Sequence, residues 1–142
     1  MPASVVPVLM YHHVSPTPGL ITVSPAHFAA QMRWLKRQGY TTLTLDALAG
    51  FLAGKPTPDK SVVITFDDGY VDNWVHAYPI LEQYDLHAAV FLITRWLGDG
   101  PARPYAGQRQ GALPACLSHH AGKTAIEAGQ TDLVMMRWSE AL

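Results

Sequence analysis

The sequence predicts an α/β fold built on a parallel sheet, and three observations carry that expectation. Short runs rich in β-branched residues, at positions 5–11, 40–45, 61–66 and 88–93, alternate with segments of helical period. The run Ser61-Val62-Val63-Ile64-Thr65-Phe66 is apolar almost without a break, as a strand covered on both faces requires. The 142 residues are 49% hydrophobic and 15% charged, which suits one compact core and excludes a disordered or low-complexity chain.

Each element has a local reason. The first strand, 5–11, is closed by His12-His13, and the turn Ser15-Pro16-Thr17-Pro18-Gly19 follows. Ser24 before Pro25 is a helix N-cap with proline at the first helical position, where its missing N–H goes unused. Phe28, Met32 and Leu35 then recur on one face until Gly39 stops the helix. A second strand spans 40–45, and Asp46 is expected to cap a short helix ending near Gly54. The loop Lys55-Pro56-Thr57-Pro58-Asp59 leads into the third strand, 61–66, which ends at Asp67-Asp68-Gly69. Pro79 forbids one continuous helix over 71–84, so the helix is expected to start near Trp74 or to restart at Pro79. After the fourth strand, 88–93, residues 98–131 show no sustained period and read as an insertion or mobile loop within a single domain, 1–142. Helical character resumes over 131–138.

Ten Lys and Arg against eleven Asp and Glu leave a formal charge of −1, so the chain lacks the basic field that nucleic acid or an anionic membrane would need. Cys116 stands alone, which excludes an internal disulfide and a thiolate cage and leaves nitrogen and oxygen donors for any metal. No Lys or Arg precedes the first apolar run and Pro7 interrupts it, so no signal peptide is read. No apolar stretch approaches the roughly 18–20 residues that cross a bilayer. A cytoplasmic location is the default expectation, and a periplasmic or extracellular one if a leader has been trimmed away.

The sharpest chemical feature is Thr65-Phe66-Asp67-Asp68-Gly69-Tyr70. Two adjacent carboxylates at the exit of a buried strand repel one another, and their desolvation is expensive unless a positive partner lies beside them. A bound cation resolves that conflict, and Gly69 lets the chain bend so that both carboxylates converge. As a bare string, Asp-Asp-Gly also suits a surface turn. The second feature is Leu9-Met10-Tyr11-His12-His13, again at the carboxyl end of a strand. In parallel α/β folds the loops leaving that rim gather catalytic groups, so the imidazole and the carboxylate pair are expected on one face. Phosphoryl transfer by an aspartate nucleophile would use aspartates one residue apart followed by Thr, which the pair before Gly69-Tyr70 does not supply.

Taken with Tyr78-Pro79-Ile80-Leu81 and Ala88-Ala89-Val90-Phe91-Leu92, the Asp-Asp-Gly segment resembles the first motif of the polysaccharide deacetylases, carbohydrate esterase family 4, with the NodB homology domain. Pro7 to His12, Phe28, Gln31, Met32, Leu35 and Gly39-Tyr40 are more similar to the branch of poly-β-1,6-N-acetylglucosamine N-deacetylases. The resemblance implies a distorted (β/α) barrel that removes acetyl groups from an N-acetylglucosamine polymer with a divalent metal, often zinc. Carried over by residue, it implies Asp67 as general base, Asp68 as metal ligand and His12 as general acid, with Tyr70 bordering the substrate groove.

The family completes its metal site with two histidines of a Ser-His-Thr-type motif that follows a helix like residues 137–142, and this chain ends inside that helix. The expected fold is therefore an incomplete barrel of amino-terminal strand–helix units, a truncated form open to self-association through an exposed sheet edge. Ser118-His119-His120 has suitable letters but stands before that helix, with Lys123 where a second histidine would be wanted. Arg103-Pro104-Tyr105 echoes a later substrate motif but also comes too early. Trp34, Trp74 and Trp96 read as core residues, and His27, His76 and His87 as structural or solvent-facing. The alternative to an enzyme is a non-catalytic degenerate module that binds glycan or a partner chain.

Overall fold

The computed structural model describes residues 1–141. In chain order the strands are β1 (Val8–Tyr11), β2 (His13–Val14), β3 (Thr22–Val23), β4 (Thr41–Thr42), β5 (Ser61–Asp68) and β6 (Ala89–Leu92). The α-helices are α1 (Pro25–Arg37), α2 (Leu45–Leu52), α3 (Tyr78–Gln83), α4 (His119–Glu127) and α5 (Trp138–Ala141). Leu142, the last residue of the terminal helix read from the sequence, lies outside the described residues.

Strand β5 is the axis of a parallel sheet, and its Ser61–Phe66 stretch is buried throughout. β1 runs along one edge, with Val8 opposite Val63 and Tyr11 opposite Phe66. The other edge is shared, Thr41–Thr42 of β4 pairing at Ser61–Val62 and β6 pairing from Thr65 to Asp68. Val62, Ile64 and Phe66 pack with Phe28, Met32 and Leu35 of α1 and with Ala77, Leu81 and Leu86 to form the main core. A smaller cluster of Tyr70, Ala125, Val134 and Met135 lies under α4.

Helix α1 begins as its sequence dictates. Ser24 Oγ accepts the His27 N–H at 3.2 Å, Pro25 occupies the first turn, and Phe28, Met32 and Leu35 are the buried face. Replacing Ser24 with Ala is expected to lower stability by about 1 kcal/mol, read by urea denaturation, because one N-terminal N–H loses its acceptor.

Several elements differ from expectation. β1 starts at Val8, although the Pro7 carbonyl still accepts the Val63 N–H at 2.9 Å. The second strand shrinks to Thr41–Thr42 because the chain leaves the ladder after Leu43 N–H bonds Val62 O, and Thr44 turns to cap α2. Thr44, not Asp46, is that cap, its hydroxyl accepting the Ala47 N–H at 3.2 Å. Around Pro79 both expected arrangements occur in series. A wide helical turn over Asn73–Ala77 precedes α3, which carries the proline in its first turn where no N–H is needed.

Within 98–131, α4 is capped by Ser118, and its buried face consists of Gly122 and Ala125, too small to register as a hydrophobic period. The 131–138 segment is not one helix. A single tight turn at Thr131–Leu133 is followed by buried Val134, Met135 and Met136. That stretch pairs with the chain after β5 through Val71 N–H to Val134 O at 2.8 Å and Met136 N–H to Gly69 O at 2.9 Å. Arg103, read as part of a chance motif, is a structural anchor whose guanidinium and backbone N–H both donate to Glu140 Oε1 at 2.8 Å. Among the described residues no helix is long and apolar enough to cross a membrane.

Candidate active site

The register of the sheet decides which side chains meet. With Tyr11 opposite Phe66, the residue just past β1 is His12 and the next on β5 is Asp67, and His12 Nε2 stands 3.7 Å from Asp67 Oδ2. These side chains are 21% and 32% exposed, so the pair opens to solvent at the carboxyl rim of the sheet. The separation exceeds a hydrogen bond and brings an imidazole nitrogen and a carboxylate oxygen side by side. A cleft of about 400 Å³ on the His12 side is lined by Met10, Tyr11, His12, His13, Ile21 and Thr22 among others.

Asp68 takes a different direction. Its backbone is left-handed at φ 75°, and Gly69 follows at φ 78°. The left-handed backbone at Gly69 favours glycine, and a Cβ there would press within 2.7 Å of the tip of the Leu92 side chain. The bend therefore begins at Asp68 itself, one residue earlier than the glycine alone suggested. Asp67 faces His12 while Asp68 neighbours Tyr70. Burial, with the Asp68 and Asp72 carboxylates, pushes the Tyr70 phenol well above its ordinary value and keeps it neutral. Tyr70 itself is 8% exposed, its ring stacked 3.8 Å from that of His13.

Beneath the pair is a polar network that sequence reasoning missed. His13 is 3% exposed and its Nδ1 lies 2.7 Å from Asp72 Oδ2. Its Nε2 is 3.2 Å from His119 Nδ1, which draws the first residue of α4 to the site. The signal was available as polar residues, Asp72-Asn73, directly after a buried strand, but such letters ordinarily mean a loop. His120 is exposed, and so are His27 and His87. Burial lowers His76 and favours its neutral form. Trp34, expected in the core, is 54% exposed. Trp74 Nε1 donates to Arg103 O at 2.7 Å, and Trp96 packs on the smaller core cluster.

Whether the residues present suit a divalent ion is answered by the donor set. Among the described residues no group of three or more His, Cys, Asp or Glu side chains is arranged to hold a metal. His13 and His119 spend their facing nitrogens on each other, and burial beside Asp72 pushes the Cys116 thiol up to about 12, away from a thiolate. Asp68 is thus a single prospective ligand where zinc takes three or four protein donors, and the described residues do not fit a complete zinc site.

The polysaccharide deacetylase family profile matches residues 54–119. The Bacillus subtilis protein YxkH, named for that family, is 43% identical over 93 residues, covering 65% of this chain and 33% of its own length. The poly-β-1,6-N-acetyl-D-glucosamine N-deacetylase of Escherichia coli K12 is 32% identical over 83 residues, 58% of this chain and 12% of that protein. Among solved structures, IcaB from Ammonifex degensii superposes with a TM-score of 0.61 at 28% identity, covering 88% of this chain and 49% of that one. The chain spans a third or less of the length of these two sequence relatives.

Proposed function

We propose, since this chain is a relative of the polysaccharide deacetylases, that it is a deacetylase segment acting on the N-acetyl amide of an N-acetylglucosamine-containing polysaccharide. The observation that carries the reading is the 3.7 Å approach of His12 Nε2 to Asp67 Oδ2 at the rim of the sheet. In that reading Asp67 accepts a proton from the attacking water, whose oxygen forms the new bond to the amide carbonyl carbon. His12 then gives a proton to the sugar nitrogen as the amide bond breaks, so acetate and a free amine leave. The E. coli relative's name supplies the polymer class, a β-1,6-linked chain.

The family resemblance adds a divalent metal, often zinc, with Asp68 as its ligand from this chain. Among the described residues no group of further donors is arranged to complete such a site. Tyr70, assigned from the resemblance to the edge of the substrate groove, is assigned instead to packing beneath the site, through its stack on His13. The exposed apolar side chains Val8 and Met10 on β1, and Val90 and Phe91 on β6, support self-association through a sheet edge.

The incomplete donor set favours one second reading, a non-catalytic module that binds glycan. Acetate release from a β-1,6-linked N-acetylglucosamine oligomer, measured with and without added zinc, separates the two. Release is expected, and His12→Gln is expected to slow it about 10²-fold, since solvent substitutes only in part for a positioned acid. Glycan binding without acetate release would favour the module.

A further inference from the structure

We propose that Asn73 and Asp72 are positioning residues that set His12 over Asp67, an inference that rests on the acid–base roles given above to those two side chains. Both sit on the turn that leaves β5 and reach across to the end of β1. Asn73 Nδ2 donates to the His12 carbonyl at 2.8 Å and to Asp72 Oδ1 at 3.0 Å. Asp72 Oδ1 also accepts the Val14 N–H at 3.1 Å, and Asp72 Oδ2 pairs with His13 Nδ1 at 2.7 Å. Two consecutive side chains therefore grip the backbone on both sides of His13. They are 2% and 5% exposed, which removes competition from water.

Among the described residues the His12 ring has no such hold of its own. Its polar neighbour is Asp67 at 3.7 Å, beyond hydrogen-bond length. The ring is thus placed through its backbone, and the backbone is placed by the turn that follows the strand carrying Asp67. One segment presents the carboxylate and locates the imidazole.

Asn73 carries a second sign of this role. Its two N–H bonds fix which way the amide faces, and among the described residues they leave Oδ1 buried with no hydrogen-bond partner. A buried carbonyl without a donor is destabilising. A leucine of similar size would avoid that cost, so packing alone does not account for an amide at this position. What the amide supplies is the grip on His12.

The test compares Asn73→Leu and Asn73→Ala with the unsubstituted chain by thermal unfolding, by crystal structure and by steady-state acetate release from a β-1,6-linked N-acetylglucosamine oligomer. Asn73→Leu is expected to melt within a few degrees of the parent while its His12 ring departs from Asp67, with kcat falling about tenfold or more and KM little changed. A purely structural asparagine would give the reverse, a lowered melting point with the ring in place. The proposal is overturned if the His12 ring keeps its place in the folded variants, or if both variants fail to fold, which would assign Asn73 to packing. Absence of acetate release from the unsubstituted chain overturns the proposed function instead, and the ring position in the variants still decides this inference.

Discussion

Asp67→Asn is expected to cut acetate release by about 10³-fold or more while leaving the fold intact, the largest loss of activity of any single change in this chain. The substitution keeps the shape of the side chain and removes its ability to hold a proton taken from water. No other carboxylate takes over, because Asp68 lies against Tyr70 and Asp72 is committed to His13 and Val14. Little stability is at stake, since Asp67 is 32% exposed and its imidazole partner stands at 3.7 Å. A partly exposed pair of that kind contributes about 1 kcal/mol at most. Unfolding curves of the variant and parent are therefore expected to overlay while initial rates diverge. An Asp67→Asn protein retaining more than a tenth of the parent's rate would remove Asp67 from the role of base.

Parts of this arrangement were legible because their causes are local. The β-branched run of β5 and the Ser24-Pro25 start of α1 are written in adjacent letters, and burial on both faces of β5 follows directly from its composition. The meeting of His12 with Asp67 was legible at one remove, from both lying at carboxyl ends of strands expected to run parallel. Strand order was needed to make it specific, for it is the direct pairing of β1 with β5 that sets Tyr11 opposite Phe66. The rest depended on contacts between distant segments. Asp72 and Asn73 look like loop residues until the end of β1 is laid against them. Helix α4 hides because Gly122 and Ala125 bury a face without large apolar side chains. Val134 to Met136 read as helical because an apolar run carries no period of its own, and pairing with the chain after β5 overrides propensity.

The largest stability effect is expected at Glu140, whose replacement by Ala should cost about 3–5 kcal/mol, a substantial share of the roughly 5–15 kcal/mol that holds a domain folded. Its side chain is wholly buried and fully used. Oε1 accepts from Arg103 N and Nε, and Oε2 accepts from Arg103 Nη2 and the Arg137 N–H, each at 2.8 Å. Removing the carboxylate strands a guanidinium and two backbone donors in a site that Arg103, 13% exposed, cannot leave without breaking its bonds to the Asp132 and Met135 carbonyls. Burial by itself would raise the Glu140 carboxyl, but the Arg103 and Arg137 hydrogen bonds outweigh it and hold the group below its ordinary value of 4.5. A depressed carboxyl stabilises the fold above its unfolded pKa, and that contribution is lost as pH falls through the folded one. Glu140→Gln keeps the volume and one acceptor without the charge, so it is expected to be clearly less stable than the parent at about pH 7 and to converge on it as the pH falls below the ordinary carboxylate range. Asp132 is also held low, by its bond to Arg137, and drains stability from parent and variant alike, so the difference between their urea midpoints isolates Glu140. A constant gap across that range would mean that the loss comes from geometry rather than charge.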